Sequence, residues 1–219
     1  MLMTSLERNG SRRTHPQSGF SLLEMVTVMA IGIIVSVVSV MSLIPMLKQQ
    51  RLTNAYNTAL SAMRLARDNA VSQRTSYSVT FSSAATPNTI VVAPTYTGFQ
   101  GVQTSQTYQL PTDVNFLVQT GFPATGPDSY GTGIAAIDFG YTATGGTGGS
   151  STVYFCPDGS AQIASSCGGS LSWDGGVVYI SRSGDILSAR ALTLWGGTGR
   201  IRGWRLYSNG SGGYQWLRQ

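Results

Sequence analysis

The stretch HPQSGFSLLEMVTVMAIGIIVSVVSVMSL, residues 15–43, turns abruptly apolar at Phe20 and carries one carboxylate, Glu24, near the start of the apolar run. From Met25 to Leu47 there is no charged residue. A helix needs about 20 consecutive apolar residues to span a bilayer, so this run is read as a membrane span. The flank before it, residues 1–19, is polar and carries Arg8, Arg12 and Arg13. Positive charge on that side predicts a cytoplasmic start, with the chain beyond the span on the opposite side.

A secretory signal places its small-residue cleavage site after the apolar core. Here the small residue, Gly19, comes before it. Cleavage at Gly19 removes the basic leader and leaves the apolar helix as a permanent anchor. Glu24 then has two readings. Ser21 and Glu24 have the S-x-x-E spacing of a capping box, with Phe20 and Met25 placed as a hydrophobic staple, so the carboxylate helps to start the helix. Alternatively it has a partner in the membrane, because a lone carboxylate drawn to the bilayer centre costs up to about 2.5–3.5 kcal/mol.

GFSLLEMVTVMAIGIIV, residues 19–35, resembles the class III signal of type IV pilins and pseudopilins: a glycine, then phenylalanine, then glutamate at the fifth position after the glycine. The resemblance implies cleavage between Gly19 and Phe20 by a prepilin peptidase and N-methylation of Phe20. It also implies pairing of Glu24 with the terminal amine of a neighbouring subunit, each buried charge satisfying the other.

Beyond Pro45, which removes one helix hydrogen bond and is a site for a kink, helical spacing continues to Arg74. Leu52, Tyr56, Ala59, Leu60, Met63, Ala70 and Val71 recur at three- and four-residue intervals and define a buried face, while Arg51, Arg67 and Arg74 project elsewhere. After Thr75 the period becomes two. SYSVTF, TIVVAPTY, VNFLVQ, IAAIDFGY, STVYFC, GVVYIS and ILSARALTLW read as strands, with turns such as PDGS and SRSGD between some of them. The expected fold is α+β: one long N-terminal helix, half membrane-embedded and half soluble, packed on antiparallel β-sheet. The expected organisation is a leader at 1–19, a membrane and assembly helix at 20–47, its soluble continuation at 48–74 and a β-rich domain at 75–219. ARDNAVSQRTSYSVTF, the later FCPDGS and VVYISRSGDI are together similar to the H-type pseudopilins of type II secretion and to FimT-like minor pilins. GGTGGSS, residues 145–151, is low in complexity and reads as a flexible loop, with no lysine to make it a phosphate cradle.

Composition agrees with a turn-rich β domain: among 219 residues 27 are Gly, 42% are hydrophobic and only 11% are charged. Charge is segregated within the net +5. From Thr75 to Ser181 the only charged residues are Asp113, Asp128, Asp138, Asp158 and Asp174, whereas Arg182–Gln219 holds six Arg against Asp185. That C-terminal stretch can present a positive patch. Cys156 and Cys167 lie close in sequence with turn formers between them. Metal binding needs more ligands, and the one histidine, His15, is in the leader. A disulfide formed in an oxidising compartment is the expectation, with two free thiols the alternative.

GRIRGWRLYSNGSGGYQW, residues 199–216, interleaves Arg200, Arg202 and Arg205 with Trp204, Tyr207, Tyr214 and Trp216. In an extended strand Arg200 and Arg202 share a face, and Arg205 joins them only if Gly203 marks a bulge. Arginines with exposed aromatics suit phosphate backbones and single-stranded bases. FimT-like minor pilins of DNA uptake carry a similar GRxR element, here Gly199, Arg200, Ile201 and Arg202. The competing reading has these arginines as a strand face that pairs with the acidic middle of this or a neighbouring subunit, the aromatics lying in the core.

The resulting expectation is a minor pilin or pseudopilin held in a bacterial inner membrane with its C-terminal domain in the periplasm. Its partners are other pilin or pseudopilin subunits, the prepilin peptidase and the inner-membrane assembly platform. DNA is the less favoured partner, and no cofactor is expected. A hydrolase is disfavoured, since no histidine remains after cleavage and neither a carboxylate pair at helical spacing nor a nucleophile motif is present.

Overall fold

The computed structural model of the chain describes residues 19–95, 104–131, 134–141, 148–165, 167 and 174–219, and among these helical periodicity and alternation become one long helix followed by eleven strands, with one short 3-10 turn at Pro127–Ser129. The expected leader, apart from Gly19, and the start of the glycine-rich loop at 145–147 lie outside the described residues. The chain divides into two units, Met1–Pro45 and Met46–Gln219. Helix α1, Leu22–Gln73, contains Pro45 within it.

In the first unit every described residue is exposed, the apolar Val26, Ile33, Ile34 and Val38 among them. The helix is long and apolar enough to cross a membrane. Its hydroxyls are satisfied within the helix itself. Ser36 Oγ donates to the Gly32 carbonyl at 2.7 Å, Ser39 Oγ to that of Val35 at 2.8 Å and Thr27 Oγ1 to that of Glu24 at 2.9 Å. Such back-bonding lets Ser and Thr sit in lipid without an unpaired hydroxyl.

In the second unit the helix buries Leu52, Ala55, Tyr56, Ala59, Ala62, Met63, Ala66 and Ala70. The small side chains at 55, 59, 62, 66 and 70 bring the helix backbone close to the sheets. Val71, expected on this face, is 46% exposed. At 3.6 residues per turn it lies about 100° round from Ala70, off the alanine line.

Two antiparallel sheets receive this face. The first has the order β3-β2-β1-β6-β7, built from β1 (Tyr77–Ser82), β2 (Thr89–Pro94), β3 (Gln106–Gln109), β6 (Thr152–Phe155) and β7 (Ala161–Gln162). The second has the order β11-β10-β9-β8-β4, with β5 also pairing with β8. It contains β4 (Asn115–Phe116), β5 (Ile137–Tyr141), β8 (Gly175–Arg182), β9 (Asp185–Trp195), β10 (Arg200–Ser208) and β11 (Tyr214–Arg218). VNFLVQ supplies only the two-residue β4. The short β3, β7 and β11 carry no alternation strong enough to announce them from sequence.

One core joins the helix to both sheets. Tyr77, Val79 and Phe81 of β1 alternate into it, as do Val178 and Ile180 of β8 and Leu192 and Leu194 of β9. The opposite face of the second sheet is covered as well: Val177, Tyr179 and Ala191 pack with Val118, Phe122, Tyr130, Trp204 and Trp216. With both faces buried, β8 reads as a continuous apolar run and not as an alternating one.

Candidate assembly site and the arginine strand

Gly19, Phe20 and Glu24 lie in the first unit. Gly19 and Phe20 precede the helix in non-helical backbone, and Phe20 is 75% exposed. The scissile bond proposed between them is therefore open at the surface of the chain. Glu24 stands in the first turn of α1 and is exposed. A carboxylate there interacts favourably with the helix dipole. Neither its carboxylate nor the Ser21 hydroxyl makes a hydrogen bond within the described residues, although the Met25 amide donates to the Ser21 carbonyl at 3.1 Å. The reciprocal side-chain bonds of a capping box are thus not formed, and among the described residues Glu24 has no hydrogen-bond donor.

Cys156 and Cys167 are joined by a disulfide with their Cα atoms 5.5 Å apart. Cys156 directly follows β6, so the bond ties the end of that strand to the segment after the edge strand β7. The Gln162 amide donates to Cys156 Sγ at 3.2 Å. In the intervening turn the Ser160 hydroxyl and backbone amide both donate to Asp158 Oδ1, at 2.6 and 2.9 Å. These bonds hold the Asp158 carboxyl below the usual aspartate range.

The three tail arginines of β10 have different surroundings. Pairing of β10 with β9 is continuous from Arg200↔Trp195 to Arg205↔Arg190, with no shift at Gly203. Gly203 is therefore not a bulge, and Arg205 points to the face opposite Arg200 and Arg202. The glycine is required for another reason: a Cβ there would lie 1.7 Å from the Tyr56 hydroxyl of α1. Helix and strand approach more closely at this point than any side chain on β10 would permit.

Arg202 is internal in its bonding. Its guanidinium donates to Asp128 Oδ1 at 2.7 Å, Thr193 Oγ1 donates to Asp128 Oδ2 at 2.6 Å, and the Trp204 indole donates to Thr193 Oγ1 at 2.9 Å. Asp128 and Ser129 have φ of 55° and 62°, left-handed values that non-glycine residues rarely adopt. The ion pair and the threonine bond secure this strained turn across the second sheet. This contact is the expected pairing of the arginine strand with the acidic middle of the same chain.

Arg200 is exposed and lines an open cavity of about 440 Å³ with Arg64, Arg67, Asp68, Thr198, Gly199 and Ile201. Arg67 clamps two turns onto the helix, its Nε donating to the Gly159 carbonyl at 3.2 Å and its Nη2 to the Thr198 carbonyl at 3.1 Å. Arg205 lies with its guanidinium carbon 5.2 Å from the centroid of the Tyr207 ring. Directly across from it is Arg190 of β9, only 5% exposed. Arg64 and Arg190 were not singled out by sequence. The signal for Arg190 is a guanidinium inside the otherwise apolar run ILSARALTLW.

Among the described residues no group of three or more His, Cys, Asp or Glu side chains is placed to hold a metal ion. Comparison with known proteins yields one family match: residues 14–40 match the model described as the prokaryotic N-terminal methylation motif, a stretch that contains Gly19, Phe20 and Glu24. No curated protein and no solved structure matches the chain. Motif and apolar helix together suggest an inner-membrane-anchored structural subunit that is processed by prepilin peptidase and assembles with other pilin subunits. The methylation motif marks the chain as type IV pilin-like.

Proposed function

We propose that the chain is a minor pseudopilin or pilin subunit, similar in kind to the H-type pseudopilins of type II secretion and the FimT-like minor pilins. In this reading prepilin peptidase cuts between Gly19 and Phe20 and methylates Phe20. The apolar half of α1 then packs among the helices of neighbouring subunits, and the β domain is carried on the periplasmic side. Glu24 pairs with the terminal amine of the adjacent subunit. One observation carries the proposal: Glu24 lies within the methylation motif, at the head of an exposed apolar helix, with no partner among the described residues. Desolvation of a lone carboxylate is costly, and a cationic amine on a neighbouring helix removes that cost.

Two measurements test it. The intact mass of the membrane-purified protein should correspond to a chain beginning at a methylated Phe20; a chain retaining residues 1–19 in a host with active peptidase contradicts the processing. Deleting the gene should then abolish either export of secreted proteins or surface pili, which assigns the subunit to one machine. Loss of neither removes the assembly reading.

DNA binding is a second reading. Its support is the exposed Arg200 beside Arg64 and Arg67, in place of a row of all three tail arginines, since Arg202 is engaged by Asp128. A gel-shift titration in which Arg200→Ala leaves binding unchanged would exclude this groove.

A further inference from the structure

Arg190 is a charged side chain buried within a core-facing surface. It points to the helix side of the second sheet, where Val178, Ile180, Leu192 and Leu194 make the core, and it is 5% exposed. Its cross-strand partner is another cation, Arg205. Opposed residues on antiparallel strands have Cβ atoms about 4.5–5.5 Å apart, and like charges at that spacing repel. Neither arginine forms an ion pair with any described carboxylate. Arg190 Nη1 and Arg205 Nε are buried nitrogens with no hydrogen-bond partner. The other polar neighbours are the hydroxyl of Tyr56, which lies over Gly203, and the Tyr207 ring beneath Arg205, with Arg64 beyond Tyr56 on the helix. Burial, and then the Arg205 charge, pull the Arg190 guanidinium below the usual arginine value, with Tyr207 and Tyr56 acting in the opposite sense.

The described acids of this unit are largely committed elsewhere. Asp113 pairs with Arg51 and Arg182, Asp128 with Arg202, and Asp185 with Arg182. Asp138 accepts from Tyr141 and Gly149, Asp158 from Ser160, and Asp174 from Ile163. A buried charge requires a counter-charge with matching hydrogen bonds, and here the fold places two cations together without one.

We propose that Arg190 and Arg205, with the Tyr56 hydroxyl beside them, form a binding site for one tetrahedral oxyanion of the phosphate class. Two guanidinium groups carry two positive charges, which a phosphate dianion neutralises and a single carboxylate does not. Their planar forks match phosphate oxygens bidentately. Partly exposed Arg205 and Tyr207, which is 38% exposed, form the open side of the site, and Arg190 forms its floor. The phosphoryl group has two sources, free phosphate or a phosphodiester of a nucleic acid strand. The site stands independently of the assembly reading, which concerns the other unit.

The test is calorimetric titration of the full chain in detergent with sodium phosphate against sodium chloride at matched ionic strength, so that screening is common to both. Saturable binding of one phosphate per chain is expected. Arg205→Gln should weaken it by about tenfold or more, the usual worth of a charge-assisted hydrogen bond. Arg190→Gln should do the same, and Arg200→Gln should leave it unchanged. Should Arg190→Gln not fold, Arg205→Gln alone decides, because its side chain is partly exposed. A phosphate response no greater than that of chloride, or one equal in Arg205→Gln, overturns the site. A thymidine oligonucleotide added to the phosphate-loaded protein distinguishes the sources: displacement of phosphate assigns the site to strand-borne phosphate, and retention assigns it to the free anion, both consistent with the site itself.

Discussion

The two halves of α1 have the same backbone and opposite side-chain economies. Before Pro45, large apolar side chains cover the whole circumference and none is buried. After it, a line of alanines is wholly buried under two sheets while Arg51 and Arg64 face outward. The first half is hydrophobic all round, which suits lipid or neighbouring helices as its environment. The second is amphipathic and has its environment supplied by the chain. Glu24 differs from the domain's acids in the same way: Asp128 has Arg202 and Thr193, whereas Glu24 has no partner among the described residues.

The contrast is broken most severely at Glu24. Glu24→Ala should reduce incorporation into sheared filaments or membrane-extracted assemblies by at least about tenfold, equivalent to ~1.4 kcal/mol or more per contact, while thermal unfolding of the β domain stays unchanged. If incorporation is normal, the first half needs no charge pairing and acts only as a tether.

Next comes the disulfide, which belongs to the second unit alone. Replacing Cys156 and Cys167 with serine should lower the unfolding free energy by about 2–4 kcal/mol, read from urea denaturation of oxidised and variant proteins. Assembly contacts of the apolar half should be untouched.

A matched pair of substitutions compares the halves directly. Ala66→Leu should cost about 1–3 kcal/mol, because the buried alanine line has no room for three more carbons. Ala30→Leu, at an exposed site in the apolar half, should change the domain's stability by less than about 0.5 kcal/mol. Equal effects would mean that the alanine line is not closely packed.

The smallest effect concerns Asp158, which is largely exposed. Its folded carboxyl titrates below the ordinary aspartate value of 3.8, so its stabilisation is present above that pH and lost as pH falls through the lower folded value. The Tm values of the natural chain and Asp158→Ala should therefore differ slightly at neutral pH and converge in strong acid. A gap that widens on acidification would reverse the assignment.

Much of this architecture was legible from residues close together in the chain. The apolar run, the basic flank, Gly19 and Glu24 define anchor and motif within a few turns of one helix. Alternation in Tyr77, Val79 and Phe81 gives β1 its buried face because a one-sided strand repeats every two residues. The arginine strand was only half legible. Spacing grouped Arg200 with Arg202, but register is what sends Arg202 to Asp128 and brings Arg205 opposite Arg190. Gly203 looked like a candidate bulge and proved to be a point of contact with Tyr56.

By itself the sequence determined where the chain is apolar, where its helix begins, and that a β-rich domain follows, since each depends on local composition and period. The tertiary structure alone decided that the strands divide into two sheets, that Arg202 is held internally, and that Arg190 is buried against a second cation. Those outcomes depend on which distant residues are brought face to face, and a side chain's charge or polarity has no partner until the fold supplies one.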